Sequence, residues 1–151
     1  MRKIFLAVLV TAFAVPSVAQ AGGPIIVPSP AADLVDTASC DFPVSVHFTA
    51  NDQSAKVFSS GKVIVTGPLG AEFSANGKTV SLNISGPTTV TEAPDGSVTI
   101  IGRGTGAGPF QTSSGVTLAY AAGPVAVSPT GDPAVMLHGT ILLDICAALA
   151  L

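Results

Sequence analysis

Two cysteines limit what this 151-residue chain can fold into more than any other feature. Cys40 heads an alternating segment, CDFPVSVHF, and Cys146 lies close to the end, in GTILLDICAALAL. With two cysteines only one connectivity exists, and the alternative is a pair of buried free thiols. A Cys40–Cys146 bond would close a loop of roughly 100 residues, worth about 4–5 kcal/mol in the chain-entropy treatment. That is comparable to the whole stability of a small domain. Disulfides persist in oxidising compartments, so the pairing also implies a location outside the cytosol.

The opening stretch agrees with that location. In MRKIFLAVLVTAFAVPSVAQA, Arg2 and Lys3 form a basic start, Ile4 to Val15 an apolar centre, and Ala19-Gln20-Ala21 a small-x-small cleavage site. The expected division is a signal peptide at 1–21, a Gly/Pro-rich arm at 22–39 and a β domain at 40–151. The closing apolar run is interrupted by His138, Gly139 and Asp144. It falls short of the ~20 residues of a membrane span, so no anchor is expected after cleavage. The predicted location is secreted, extracellular or cell wall-associated.

Charge narrows the partners. The chain has six basic and nine acidic residues, and without Arg2 and Lys3 the balance is four against nine, a net −5. Electrostatic binding of nucleic acid or an anionic membrane is disfavoured. With no Trp and one Tyr, stacking on sugars or caging of cations is poorly served.

From Cys40 onward the pattern is strand, turn, strand. Phe42, Val44, Val46 and Phe48 share one face, and Val80, Leu82 and Ile84 another. Ser60-Gly61, Asn76-Gly77, the APDGS stretch about Pro94 and Gly96, and PTGDP supply turns. GGPIIVPSPAADLVDTAS has no period and reads as an extended arm, with AADLVD a candidate for one helical turn. About nine or ten strands follow, with no convincing amphipathic helix, so the expected class is all-β: an antiparallel meander closing into a β-barrel or barrel-like sandwich.

The disulfide suggests how such a meander would close. If the first and last strands are antiparallel neighbours, Phe48 faces Leu137, Val46 faces Gly139, Val44 faces Ile141 and Phe42 faces Leu143, so apolar meets apolar. That register places His47 opposite His138 and Asp41 opposite Asp144 on the outer face, with Ser45 and Thr140 between. The Asp and His pairs would lie about 20 Å apart along the strand. One metal cannot bind both, two exposed histidines make a weak site, and two facing aspartates repel. The cluster is therefore carried as a polar patch, with no metal, cofactor or catalytic residue expected.

GRGTGAGPF resembles a phosphate loop but lacks glycine at the last required position, and no Lys-Ser/Thr follows. Gly102, Gly104 and Gly106 share the face of Val98 and Ile100. Bare glycine there permits a bend, a bulge or close sheet contact, or it lines a pocket for a small apolar ligand. No Gly-x-Ser-x-Gly elbow occurs.

Taken together, CDFPV, the Gly77-Lys78 … Ser85-Gly86-Pro87 spacing before Pro94-Asp95-Gly96-Ser97, and the closing CAALA resemble a group of small secreted actinobacterial β-proteins of uncharacterised function. The resemblance covers most of the chain after the signal. It implies bacterial export and a β fold, and brings no activity. The expected role is a non-enzymatic extracellular interaction or structural module, its partner an unidentified extracellular protein. The rival is a carrier of a small apolar ligand in a barrel cavity, and an enzyme is the third class.

Overall fold

A computed structural model describes residues 23–151. The signal-peptide expectation for 1–21 lies outside the described residues. Among the described residues, fourteen strands and one short helix occur in chain order: β1 (Ile25–Pro28), β2 (Leu34–Asp36), β3 (Val44–Asn51), β4 (Ser54–Val57), β5 (Val63–Thr66), β6 (Leu69–Ala75), β7 (Lys78–Asn83), β8 (Thr88–Glu92), β9 (Val98–Gly102), β10 (Thr105–Thr112), β11 (Gly115–Ala122), β12 (Val125–Val127), β13 (Val135–Met136), β14 (Thr140–Asp144) and α1 (Ile145–Leu149).

The strands are halves of seven longer passes, each bent at one common level. Asn51 lies opposite Leu69 and, three residues on, Ser54 lies opposite Thr66. The ladder between β3 and β6 thus continues into that between β4 and β5. Likewise Gly70 opposes Asn83 and Val65 opposes Thr88, and Thr105 opposes Ala122 while Gly102 opposes Val125. Below the bend the passes form one seven-stranded antiparallel sheet, β1-β4-β5-β8-β9-β12-β13. Above it they divide into β2-β3-β6-β7 and β10-β11-β14.

The bend is written in glycine and proline. Gly67-Pro68, Gly86-Pro87 and Gly123-Pro124 all sit at this level, with Gly104 and Gly139 on neighbouring passes. Gly123 and Gly139 have φ of +121° and +129°. A Cβ on Gly123 would come within 2.8 Å of the Gly139 Cα, and one on Gly139 within 2.9 Å of the Gly123 Cα. Backbone thus approaches backbone where any side chain would intrude. Each proline lacks an N–H but offers its carbonyl: Pro68 accepts from Asp52 N–H at 3.1 Å, Pro87 from Arg103 at 2.8 Å and Pro124 from Leu137 at 3.0 Å. Hydrogen bonding therefore carries through the kink.

The two upper sheets enclose the main core. Val44, Val46, Ala71 and Phe73 from one, with Ile84 just past β7, meet Leu118 from the other and Ile145 and Leu149 from α1. Ile145, Leu149 and Val44 are fully buried. Each such side chain stabilises the fold by roughly 1.5–3 kcal/mol. A second cluster, Phe110, Ala119, Ala121 and Ala134, lies on the opposite face of β11.

The helix forms because Asp144 stops the strand. Its carboxylate caps α1, accepting from Ala147 N–H at 2.9 Å, and also accepts from the Thr117 hydroxyl at 3.1 Å. At the other end Asn76 Nδ2 donates to the Leu149 carbonyl at 2.9 Å, and Lys78 Nζ donates to the Ala150 carbonyl. Asn76 and Gly77 form the expected hairpin turn, with φ of +53° and +74°. The tip of the β6–β7 hairpin therefore also closes the helix C-terminus.

The disulfide is present, with Cα atoms 5.4 Å apart. Its geometric consequence differs from expectation. Cys40 precedes β3 in the four-stranded sheet, and Cys146 sits on α1 beyond β14 in the three-stranded one. The bond clamps two stacked sheets together; it does not join neighbouring strands. β3 has β2 on one edge and β6 on the other, so no edge remains for β14, which pairs with β11. No closed barrel is found among the described residues: β1 and β13 remain the open margins of the seven-stranded sheet, and β7 and β10 diverge above the bend. The strand count exceeds nine or ten because each pass is cut by its bend and because the arm contributes β1 and β2. AADLVD supplies a strand, not a helical turn: Leu34 and Val35 pair with Val46 and Ser45. Prolines in the arm are tolerated because β1 and β2 are edge strands.

Two expected outcomes follow. The double variant C40A/C146A should lose about 3–5 kcal/mol in urea unfolding relative to the oxidised protein. Gly123→Ala should lose about 2–4 kcal/mol, because it combines positive φ with a backbone collision, whereas Gly131→Ala should lose about 1 kcal/mol in the same assay. At Gly131 φ is +84° and the space around a Cβ is open.

Candidate interaction surfaces

The structure separates the two histidines. His47 projects from the outer face of β3, and its Nδ1 lies 2.6 Å from Asp33 Oδ2. The other Asp33 oxygen accepts the Phe48 N–H at 2.8 Å. Asp33 thus reaches across from just before β2 and holds the arm to β3. His138 is exposed at the bend of the last pass, where its N–H reaches the Pro124 carbonyl at 3.3 Å. The expected His47–His138 patch does not form, since it required β3 beside β14. Asp41 is exposed, Asp144 caps α1, Ser45 opposes Ser74, and Thr140 opposes Ala122. Proximity of Asp33 to His47 was missed because Asp33 lies in a stretch without period.

The Phe48 N–H and then the His47 ring hold the Asp33 carboxyl below the ordinary carboxylate range. The Asp33 carboxylate raises the His47 imidazole above its ordinary value. The sign of the linkage is set by both shifts. The histidine contribution is fully present below its ordinary pKa of 6.5 and fades as pH rises through the raised value. The aspartate contribution is present above 3.8 and fades as pH falls through the lowered value. Both are complete between those two limits. Among the described residues no three His, Cys, Asp or Glu side chains gather as metal ligands.

Gly102, Gly104 and Gly106 straddle the bend between two sheets. Gly102 opposes Val125 in the seven-stranded sheet. Gly104, at φ +80°, lies against Gly86, whose Cα would be 3.3 Å from an added Cβ. Gly106 belongs to β10, opposite Ala121, and its Cβ side is open, as is that of Gly108. Close sheet contact thus describes Gly104, and open space describes Gly106. A separate shallow depression is lined by Ser60, Gly61, Glu92, Ala93, Pro94 and Gly96, the turns of two adjacent hairpins. None of the three glycines borders it.

Some apolar side chains stay exposed or half-buried on the seven-stranded sheet and at the margins. Across the seven-stranded sheet, Ile25 opposes Val57, Val57 opposes Val63, Val63 opposes Val90, Val90 opposes Ile100, and Ile100 opposes Val127. These directly paired residues share one face, and none joins either core cluster. The edges are barer still. Of 13 exposed large hydrophobics among the described residues, Ile25, Ile26, Val27, Leu34 and Val35 lie on the first pass, and Val135, Leu137, Ile141 and Leu142 on the last. Nine of the 13 therefore mark the two margins of the meander. Comparison of the chain with protein-family models, with curated proteins and with solved structures gives no match.

Asp33→Asn should bring the His47 pKa down toward 6.5. An NMR titration of the imidazole Cε1 proton checks this.

Proposed function

We propose that this chain is an exported, disulfide-closed β module that acts through surface contacts. The carrying observation is the placement of exposed apolar side chains: they concentrate on the two outermost passes, where a sheet offers its edge to a partner. The Cys40–Cys146 bond favours an oxidising compartment. Among the described residues, no helix is long and apolar enough to cross a membrane. The resemblance to secreted actinobacterial β-proteins supports bacterial export by the same route. The role is extracellular or cell wall-associated binding or scaffolding, without catalysis, cofactor or nucleic-acid partner.

A second reading, a carrier for a small apolar ligand, draws on one observation. Gly106 and Gly108 have open space where side chains would be, beside the buried Ala119 and Ala121 and near Phe110. Native mass spectrometry of the purified protein separates the readings: an added mass that is lost on Gly108→Leu supports the carrier, and the bare chain mass supports the module.

The export reading has its own measurement. Intact-mass analysis of culture medium should show a chain beginning at Gly22, lighter by two hydrogens than the reduced form. Finding only the full-length reduced chain inside cells would overturn it.

A further inference from the structure

We infer that the arm, residues 23–38, is a pH-sensitive strap over the edge of β3 and β4, held closed while His47 carries its second ring proton and loosened when that proton leaves. This device is independent of what the module binds.

The arm is docked without a side chain in either core. No residue from 23 to 38 is buried, and Ser39 is the first buried residue among those described. What holds the arm is hydrogen bonding. β1 pairs with β4 over four residues and β2 with β3 over three. Between them Ser29 N–H donates to the Gln53 carbonyl at 2.9 Å, Ala31 N–H to Asn51 Oδ1 at 2.8 Å, and Asn51 Nδ2 to the Ala31 carbonyl at 2.6 Å. A segment with so little buried apolar surface opens locally, at far lower cost than the body of the fold. Its root is fixed by the Cys40–Cys146 bond, so opening stops at Ser39 and leaves the core sealed.

The remaining clasp is electrostatic. On the outer face of β3, His47 stands between two carboxylates. Asp33 reaches its Nδ1 from the arm, and Glu72 opposes it from β6. The Ser81 hydroxyl on β7 donates to Glu72 at 3.4 Å. Ser45 and Thr49 flank His47 on its own strand and are uncharged. The other charges nearby point elsewhere: Asp36 on β2 is bonded to Ser39, and Lys78 on β7 donates to the Ala150 carbonyl. A protonated His47 is thus one cation between two anions on consecutive passes. Once neutral, its Nδ1–H can still donate to Asp33, but both attractions are lost and only the repulsion of Asp33 by Glu72 remains. Asp33 raises the His47 imidazole above 6.5, and its own carboxyl is held below 3.8. The strap is therefore tightest between those values and loosens as pH rises through the raised histidine value.

Opening uncovers more than the arm itself presents. VSVHFTAN and SAKV, the strands beneath it, contain no proline, so the edge under the strap is longer and more regular than the one above it.

Hydrogen exchange read by mass spectrometry tests this on the oxidised protein from about pH 5 to about pH 9, each rate divided by its unprotected rate at the same pH. Protection of residues 25–36 and of the facing amides of β3 and β4 should fall roughly two- to fivefold across the histidine titration. Peptides from β11 should keep theirs. Asp33→Asn and His47→Gln should each show the weaker arm protection throughout, with no step. An arm whose protection is constant with pH, a step of equal size in β11, or a step that survives in either variant overturns the strap. Export and surface binding are decided by the separate mass measurements, so either conclusion can fail alone.

Discussion

The whole architecture depends on the close approach of backbone to backbone at the bend. A flat seven-stranded meander with one apolar face has nothing of its own to bury that face against. Bending every pass at one level lets the upper halves of the early passes lie over those of the late ones. That requires neighbouring chains to kink in concert, without side chains at the crossing. Gly123 and Gly139 meet there, and Gly104 meets Gly86. The proline carbonyls keep the ladder hydrogen-bonded through the kink, so the bend leaves few unsatisfied polar groups.

The disulfide and α1 act on the same problem from the top. Two sheets of four and three strands leave a small core, and its largest fully buried side chains include Ile145 and Leu149 from the helix. One helical turn has little intrinsic stability. It persists because Asp144 caps it, Asn76 caps its far end, and Cys146 is bonded across to Cys40. The closing residues therefore work as a plug between the sheets, fastened through Cys40 to the segment that joins β2 to β3 in the four-stranded sheet.

Much of this was legible in the sequence. Alternation gave the strands from Phe42 onward, and Asn76-Gly77 and Pro94 to Gly96 gave their turns, because periodicity and positive φ are local properties. Pairing the cysteines was also legible, since only one connectivity existed. Their strand neighbours were not. A covalent bond fixes distance, and 5.4 Å between Cα atoms is met equally across a ladder or between stacked layers. The arm was misjudged because Ile25 to Val27 and Leu34 to Val35 are too short to show a period and lie among prolines. The recurring Gly-Pro at 67, 86 and 123 was a readable signal for the common bend. Its meaning comes from the register that aligns those dipeptides. The Asp33–His47 contact had no local signal, since it depends on where the arm turns back.

Folding this way leaves margins. Closing into a barrel would have paired the first pass with the last, but β1 and β13 end the seven-stranded sheet and β2 and β14 each lie at the margin of an upper sheet, so both outermost passes keep an open edge. The first is short, split and interrupted by proline, features that discourage strand addition. The last cannot be guarded in the same manner along β14. A proline there would remove an N–H the ladder to β11 can use, and its inward face must stay apolar because Leu143 packs on the core. Asp144 is already committed to the helix. The sequence that builds the plug thus constrains the strand beside it, and the guard that strand does carry is the register shift at Leu142, between the Tyr120–Leu143 and Ala121–Ile141 pairs.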